Sequence, residues 1–283
     1  MSKKPLTLTI VIPAYNEERH LAECLDAIAR QTVKPDEVIV VDNNSTDRTA
    51  EIARKYPFVK VLHESKQGFT PPRNRGFNAA TGDIIGRINA DAILVSNWVE
   101  HIKADFAADE KLGGVSGVSI SELLPWRGIR STLWARVYFA LSDAYFRLPV
   151  LWGANMAIRR DVWLAVRADA CPDDRLVHDD IDLSLLIAGH GWRLKHDDKA
   201  RIRLDGRDYT HWPKFKEYVL RRISTKRYHD RRGTMQGVHV WYLPRWYRAA
   251  VWLLALVPAL LGIIGILAIG SPGIIKRLLI KHK

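Results

Sequence analysis

Four short apolar runs, evenly spaced through the first ninety residues, most constrain what this chain can fold into. Residues 6–12, 37–41, 59–63 and 84–88 are rich in β-branched residues and read as buried strands. Between them lie segments with helical spacing. Residues 17–30 carry Leu21, Leu25 and Ile28 on one face, residues 46–56 follow the turn Asn43-Asn44-Ser45, and residues 73–80 follow a loop at 68–72. Strands alternating with helices predict an α/β chain with a mostly parallel sheet and helices on both faces.

Such a sheet aims the ends of its parallel strands at one edge, where open α/β folds bind ligands. Asp42 follows the second run, and Asn89-Ala90-Asp91 follows the fourth. Both carboxylates are therefore expected at that edge. An Asp there also caps a following helix well, which is the plainer alternative. Downstream, residues 178–188 (HDDIDLSLLIA) read as a helix with three Asp in its first turn, stopped by Gly189 and Gly191. Three Asp at a helix start favour the dipole with or without chemistry.

Totals narrow the function classes. The 283 residues suit one large domain with or without an appendage, and 47% hydrophobic residues support a sizeable core. Cys24 and Cys171 stand in no metal-type spacing, so the sequence suggests neither a disulfide framework nor a zinc site. The N-terminal apolar run is broken too early for a signal peptide. The net charge of +12 is uneven: residues 1–192 hold 23 Lys and Arg against 25 Asp and Glu, whereas residues 193–248 hold 16 against 6. Basic residues thus gather near the apolar tail, which points to an anionic membrane surface and not to nucleic acid.

That tail, residues 249–275, contains no charged residue. As a helix it would reach about 40 Å, more than the roughly 30 Å hydrocarbon core. Trp246, Tyr247 and Trp252 are placed like an interfacial belt. Either a single span or a re-entrant hairpin bending near Pro258 fits, and the single span is preferred. The expected division is 1–212 catalytic domain, 213–248 basic juxtamembrane segment, 249–275 transmembrane segment and 276–283 basic tail. An interfacial or core-facing helix is expected over 133–146.

In order along residues 6–200, the segments TIVIPAYNEE, VIVVDNNSTDRTAEIA, GFTPPRNRGFNAATGD, INAD, WGANMAIRR and HDDIDLSLLIAGHGW resemble the family 2 glycosyltransferases, which have the GT-A (Rossmann-like) fold. The resemblance implies a glycosyltransferase moving a sugar from a nucleotide-sugar donor to a hydroxyl acceptor, metal-dependent and inverting. Pro13, Tyr15 and Glu17 would line the nucleotide, and Asp42 would accept a hydrogen bond from the base. Arg73 would pair with the nucleotide or its phosphates. Asp91 would ligate Mg²⁺ or Mn²⁺, hard cations that prefer oxygen. Asn89 stands where the family usually has a first Asp; it can bond a ribose hydroxyl or a metal-bound water but adds no charge. Asp180 would be the catalytic base. Trp152, Gly153, Asn155 and Asp179 would line the acceptor side. A membrane location with the catalytic domain facing the cytosol then suggests a lipid-linked or cell-envelope glycan as acceptor. A non-catalytic nucleotide-sugar-binding scaffold and a sugar-1-phosphate nucleotidyltransferase are the alternatives.

Overall fold

The computed structural model describes residues 4–120, 139–140, 142–204 and 212–234. An eight-stranded sheet runs through them in the order β3-β2-β1-β4-β7-β6-β8-β5. The strands are β1 (Leu8–Ala14), β2 (Glu37–Asp42), β3 (Val59–His63), β4 (Ile84–Ile88), β5 (Ala92–Leu94), β6 (Leu112–Ile120), β7 (Asn155–Arg159) and β8 (Arg193–Leu204). The helices are α1 (Leu21–Ala29), α2 (Thr49–Arg54), α3 (Thr70–Ala79), α4 (Trp98–Ala108), α5 (Arg160–Val166), α6 (Asp179–Gly189) and α7 (Trp212–Arg232).

One half of the sheet matches the expectation. β1 pairs in parallel with both β2 and β4, and β2 with β3. The other half is mixed. β7 is antiparallel to β4 and to β6, β8 is parallel to β6, and β5 is antiparallel to β8. The sheet is mixed and mostly parallel overall. Its two faces each carry a core. On one, Leu8, Ile10 and Ile12 meet Leu21, Leu25 and Ile28 of α1 and Trp98, Ile102 and Phe106 of α4. On the other, Val11, Ile39 and Val41 meet Phe77 of α3, Trp163 of α5 and Ile181 of α6. Alternate residues of β1 supply both, as the period of a strand requires.

Local departures from the sequence reading have identifiable causes. β1 runs through Pro13 to Ala14. Its pairing with β4 ends at Val11, so Pro13 faces only β2 and no ladder bond needs its missing N–H. Helix α3 begins at Thr70 because Pro71 and Pro72 fit a first helical turn. Helices α1 and α2 start later than their patterns suggest, because the loops before them bond to each other. Asn16 N–H donates to Ser45 Oγ (3.1 Å), Glu17 N–H to Thr49 Oγ1 (2.7 Å) and Thr46 N–H to the Asn16 side chain (2.9 Å). Strand β5, between Asp91 and α4, was not legible at all.

No helix among the described residues is long and apolar enough to cross a membrane. The expected transmembrane segment 249–275, the tail 276–283 and half of the expected helix over 133–146 lie outside the described residues; the described half, 139–140 and 142–146, is helical. The boundary drawn at residue 212 falls on the first residue of α7. That helix is bonded to α6: His178 N–H donates to Thr225 Oγ1 (2.7 Å), and His229 Nε2 lies 2.9 Å from Asp182 Oδ1.

Candidate active site

The site is assembled at the edge where β1, β2 and β4 end. Asp42 closes β2, opposite Ala14 in register. It is buried; one carboxylate oxygen accepts from Ser45 N–H (3.3 Å) and the other lies 3.3 Å from His63 Nδ1. Helix α2 starts only at Thr49 and has no side-chain cap, so Asp42 shapes the turn and does not cap the helix. Pro13 lies in β1, Tyr15 is about half exposed and Glu17 is half-buried at the same edge. The Cys24 thiol is pushed up first by burial and then by the negative charges of Asp91 and Glu17. Those two carboxylates thus share one neighbourhood, although 74 residues separate them in the chain.

Asn89 and Asp91, both half-buried, follow β4. The Asn89 N–H donates to Ala154 O (3.3 Å), which fastens this tip to the segment before β7. That segment is laced in turn to α6. Leu151 N–H donates to Ser184 Oγ (2.9 Å) and Gly153 N–H to Asp180 Oδ2 (2.8 Å). Positions 180 and 184 are one turn apart on the same helix face, so two backbone donors of one extended segment reach both.

The three Asp of α6 each have a distinct partner. Asp179 Oδ2 accepts from Arg87 Nη1 at 2.5 Å. Asp180 has Gly153 on one oxygen and His178 Nδ1 2.5 Å from the other. Asp182 receives Cys171 N–H (3.1 Å) and faces His229. No side chain caps this helix. Burial works against the charge of Asp180, but the His178 ring, the Gly153 N–H and Arg87 outweigh it and hold the carboxyl well below its usual range. Burial likewise opposes charge on His178, yet the carboxylates of Asp180 and Asp179 raise its pKa. The site therefore keeps an ionised carboxylate out of bulk water.

Two of the expected site residues, Arg73 and Asn155, are buried and bonded to other elements of the domain. Arg73 is fully buried, its guanidinium engaged by Asp179 O (2.7 Å) and the Asn74 side chain (2.9 and 3.0 Å). Asn155 is fully buried; its amide takes Trp98 Nε1 and donates to Val118 O and Ala200 O, so it ties α4 to β6 and β8. Trp152 is half-buried, with Phe139 edge-on at 6.5 Å between ring centroids. Arg87 is the functional candidate that the sequence reading missed. Its signal was a lone charge inside an otherwise apolar strand.

Two arrangements could hold a divalent cation. One ligand atom each from His178, Asp179 and Asp180 lies within 4.8 Å of the others. Arg87 already stands on Asp179, however, and a guanidinium competes with a metal for that oxygen. Asp91 offers one carboxylate at the strand tip, which suits a cation such as Mg²⁺ that takes few protein ligands and fills its shell with phosphate oxygens and water.

A sheet that is parallel in one half and mixed in the other, with helices on both faces, is of the GT-A-like kind. Residues 9–165 match Glycosyl transferase family 2, and the chain belongs to that family. It is 25% identical over 237 residues to the probable glycosyltransferase YdaM of Bacillus subtilis, covering 75% of this chain and 56% of that protein. It is 36% identical over 99 residues to the uncharacterized glycosyltransferase EpsJ of the same organism, covering 34% and 29%. The chain thus spans little more than half, or less, of these relatives' lengths. Among solved structures, it is similar to the mannosyltransferase PcManGT of Pyrobaculum calidifontis in complex with GDP-Man and Mn²⁺, with a TM-score of 0.67, 22% identity and coverage of 95% of this chain and 82% of that one. It is also similar to glucosyl-3-phosphoglycerate synthase of Mycobacterium tuberculosis in complex with Mn²⁺, UDP and glucosyl-3-phosphoglycerate (TM-score 0.55, 19% identity, 78% of each chain). These likenesses show the fold.

Proposed function

We propose that this chain transfers a sugar from a nucleotide-sugar donor to a hydroxyl acceptor with inversion, and that Asp180 is the base. The observation that carries the reading is the bond between Gly153 N–H and Asp180 Oδ2, which ties the acidic helix start to the segment fastened on the Asn89–Asp91 tip. In the transfer the acceptor O–H bond breaks as its oxygen bonds the sugar carbon and the diphosphate leaves. The proton goes to Asp180. The His178 ring, the Gly153 N–H and Arg87 favour its ionised form, the form that takes this proton as the diphosphate departs.

On this reading Pro13, Tyr15, Glu17 and Asp42 receive the nucleotide, Asn89 the ribose, and Trp152 with Gly153 borders the acceptor. Asp91 holds Mg²⁺ or Mn²⁺, which would offset charge on the departing diphosphate. The nucleotide sugar and Mn²⁺ bound by PcManGT support the donor class and the metal. The uncharged run at 249–275 and the basic residues before it support membrane attachment, hence an acceptor that is lipid-linked or part of the cell envelope. The test is release of nucleoside diphosphate by purified protein from UDP-, GDP-, CDP- or dTDP-sugars with Mn²⁺. Wild-type turnover that drops about 10²–10⁴-fold in Asp180→Asn supports the base. Donor binding without any turnover would leave a non-catalytic nucleotide-sugar-binding protein.

A further inference from the structure

We propose that Arg87 is a positioning residue for the transfer: it sets the aim of Asp180 by holding the two residues that hold Asp180. The inference rests on the reading of Asp180 as the base. Arg87 lies in β4, between β1 and β7, and is 5% exposed. Its Nη1 pairs with Asp179 Oδ2 at 2.5 Å, the residue directly before the base in α6. Its guanidinium also lies beneath Gly153. A Cβ built on Gly153 would come within 2.8 Å of Nη1, 3.0 Å of Cζ and 3.2 Å of Nη2. Gly153 is the residue whose N–H bonds Asp180 Oδ2. One side chain thus touches the base's chain neighbour and the base's hydrogen-bond donor.

Packing alone gives no reason for this arrangement. A charged group inside a sheet is costly unless fully paired, and an apolar residue of similar size usually serves stability as well or better. Arg87 is not fully paired: its Nε is buried with no hydrogen-bond partner. The residue positions on either side, Gly86 and Ile88, are ordinary buried strand residues. Arg73 completes the brace from the other direction. It grips the Asp179 carbonyl at 2.7 Å while its Nη1 lies 3.7 Å from the carboxylate. Asp179 is thereby fixed at main chain and side chain, and the first turn of α6 cannot rotate without breaking the Arg87 contact. Freeing that turn would move the base relative to the acceptor. A displacement of about 1 Å at a reacting group can cost about 10²-fold in rate.

The experiment is a double-mutant cycle between Arg87→Met and Asp180→Asn, read as kcat, donor KM and calorimetric donor affinity and stoichiometry. The donor is the nucleotide sugar that the wild-type protein turns over. Arg87→Met is expected to lower kcat by about 10²-fold while KM, donor affinity and stoichiometry stay at wild-type values. Arg87→Lys, which keeps the charge but not the plane beneath Gly153, is expected to recover part of the loss. In the Asp180→Asn background, Arg87→Met is expected to change turnover by no more than about 2-fold, since there is no base left to aim. Equal losses in both backgrounds, or an Arg87→Met protein with wild-type kcat, would overturn the proposal and leave the base assignment standing. Wild-type turnover in Asp180→Asn would remove the base and this proposal together. If Arg87→Met does not fold, the cycle is run with Arg87→Lys and read the same way.

Discussion

The backbone N–H of Gly153 donates to Oδ2 of Asp180 at 2.8 Å, so the segment before β7 and the first turn of α6 position each other. Gly153 can serve because it lacks a Cβ, which would meet the Arg87 guanidinium at 2.8 Å. Gly153→Ala is expected to fold, to lose about 1–3 kcal/mol from overpacking, and to lose more turnover than donor affinity. Thermal melting, kcat and calorimetry check this. A variant with wild-type kcat would detach Gly153 from the chemistry.

Asp91 and Asp180 should fail differently. Asp91→Ala is expected to abolish the effect of Mn²⁺ on nucleotide binding, because the cation would bridge protein and diphosphate. Asp180→Asn is expected to keep metal and donor binding. Asn89→Asp is expected to tighten Mn²⁺ binding by adding a carboxylate. Calorimetry with and without Mn²⁺ separates them, and an unaltered metal dependence in Asp91→Ala would remove the proposed metal site.

The His178–Asp180 contact predicts a pH dependence of stability. The pKa of His178 is raised in the folded chain above its ordinary value of about 6.5. Its contribution is therefore fully present below about pH 6.5 and is lost as pH rises through the higher, folded value. The Asp180 pKa is depressed, so its contribution holds above about pH 4 and is lost only as pH falls below the ordinary carboxylate range. Denaturant titrations of wild type and His178→Gln between pH 5.5 and 8.5, as the chosen range of about three units, are expected to converge as pH rises. Parallel curves would show that the pair does not titrate as described.

His229 and Asp182 are both essentially without solvent exposure and lie 2.9 Å apart. Truncating His229 leaves a buried Asp182 oxygen without this hydrogen-bond partner, so His229→Ala is expected to destabilise the fold by about 1–3 kcal/mol. Because α7 carries His229, limited proteolysis should cut that helix sooner in the variant. An unchanged unfolding midpoint would show that α7 contributes little to the domain.

The uncharged run at 249–275 gives a prediction of its own. Truncation after about residue 245 is expected to release the protein from membranes, apart from a salt-sensitive fraction held by basic residues. Full-length chain recovered in the aqueous fraction without detergent would rule out the attachment.

Residues 6–91 by themselves determined the parallel half of the sheet and the shared edge of Asp42 and Asp91. Each strand there is announced by its own apolar run, and the right-handed crossover leaves little freedom in how such units stack. The ordered motifs also named the family that residues 9–165 match. Tertiary structure decided the rest. The antiparallel insertion of β7 beside β4 joins residues about seventy apart, and no local periodicity encodes which strand completes a sheet. The three bonds that the Asn155 amide closes between α4, β6 and β8 join elements far apart in the chain, so its sequence position alone does not announce them. Arg87 is the sharpest case. A charge in a strand is tolerable only if a partner arrives, and its partner, Asp179, lies 92 residues further along the chain. Desolvation is settled by everything that packs around a group, so it is a property of the folded molecule and not of any stretch of sequence.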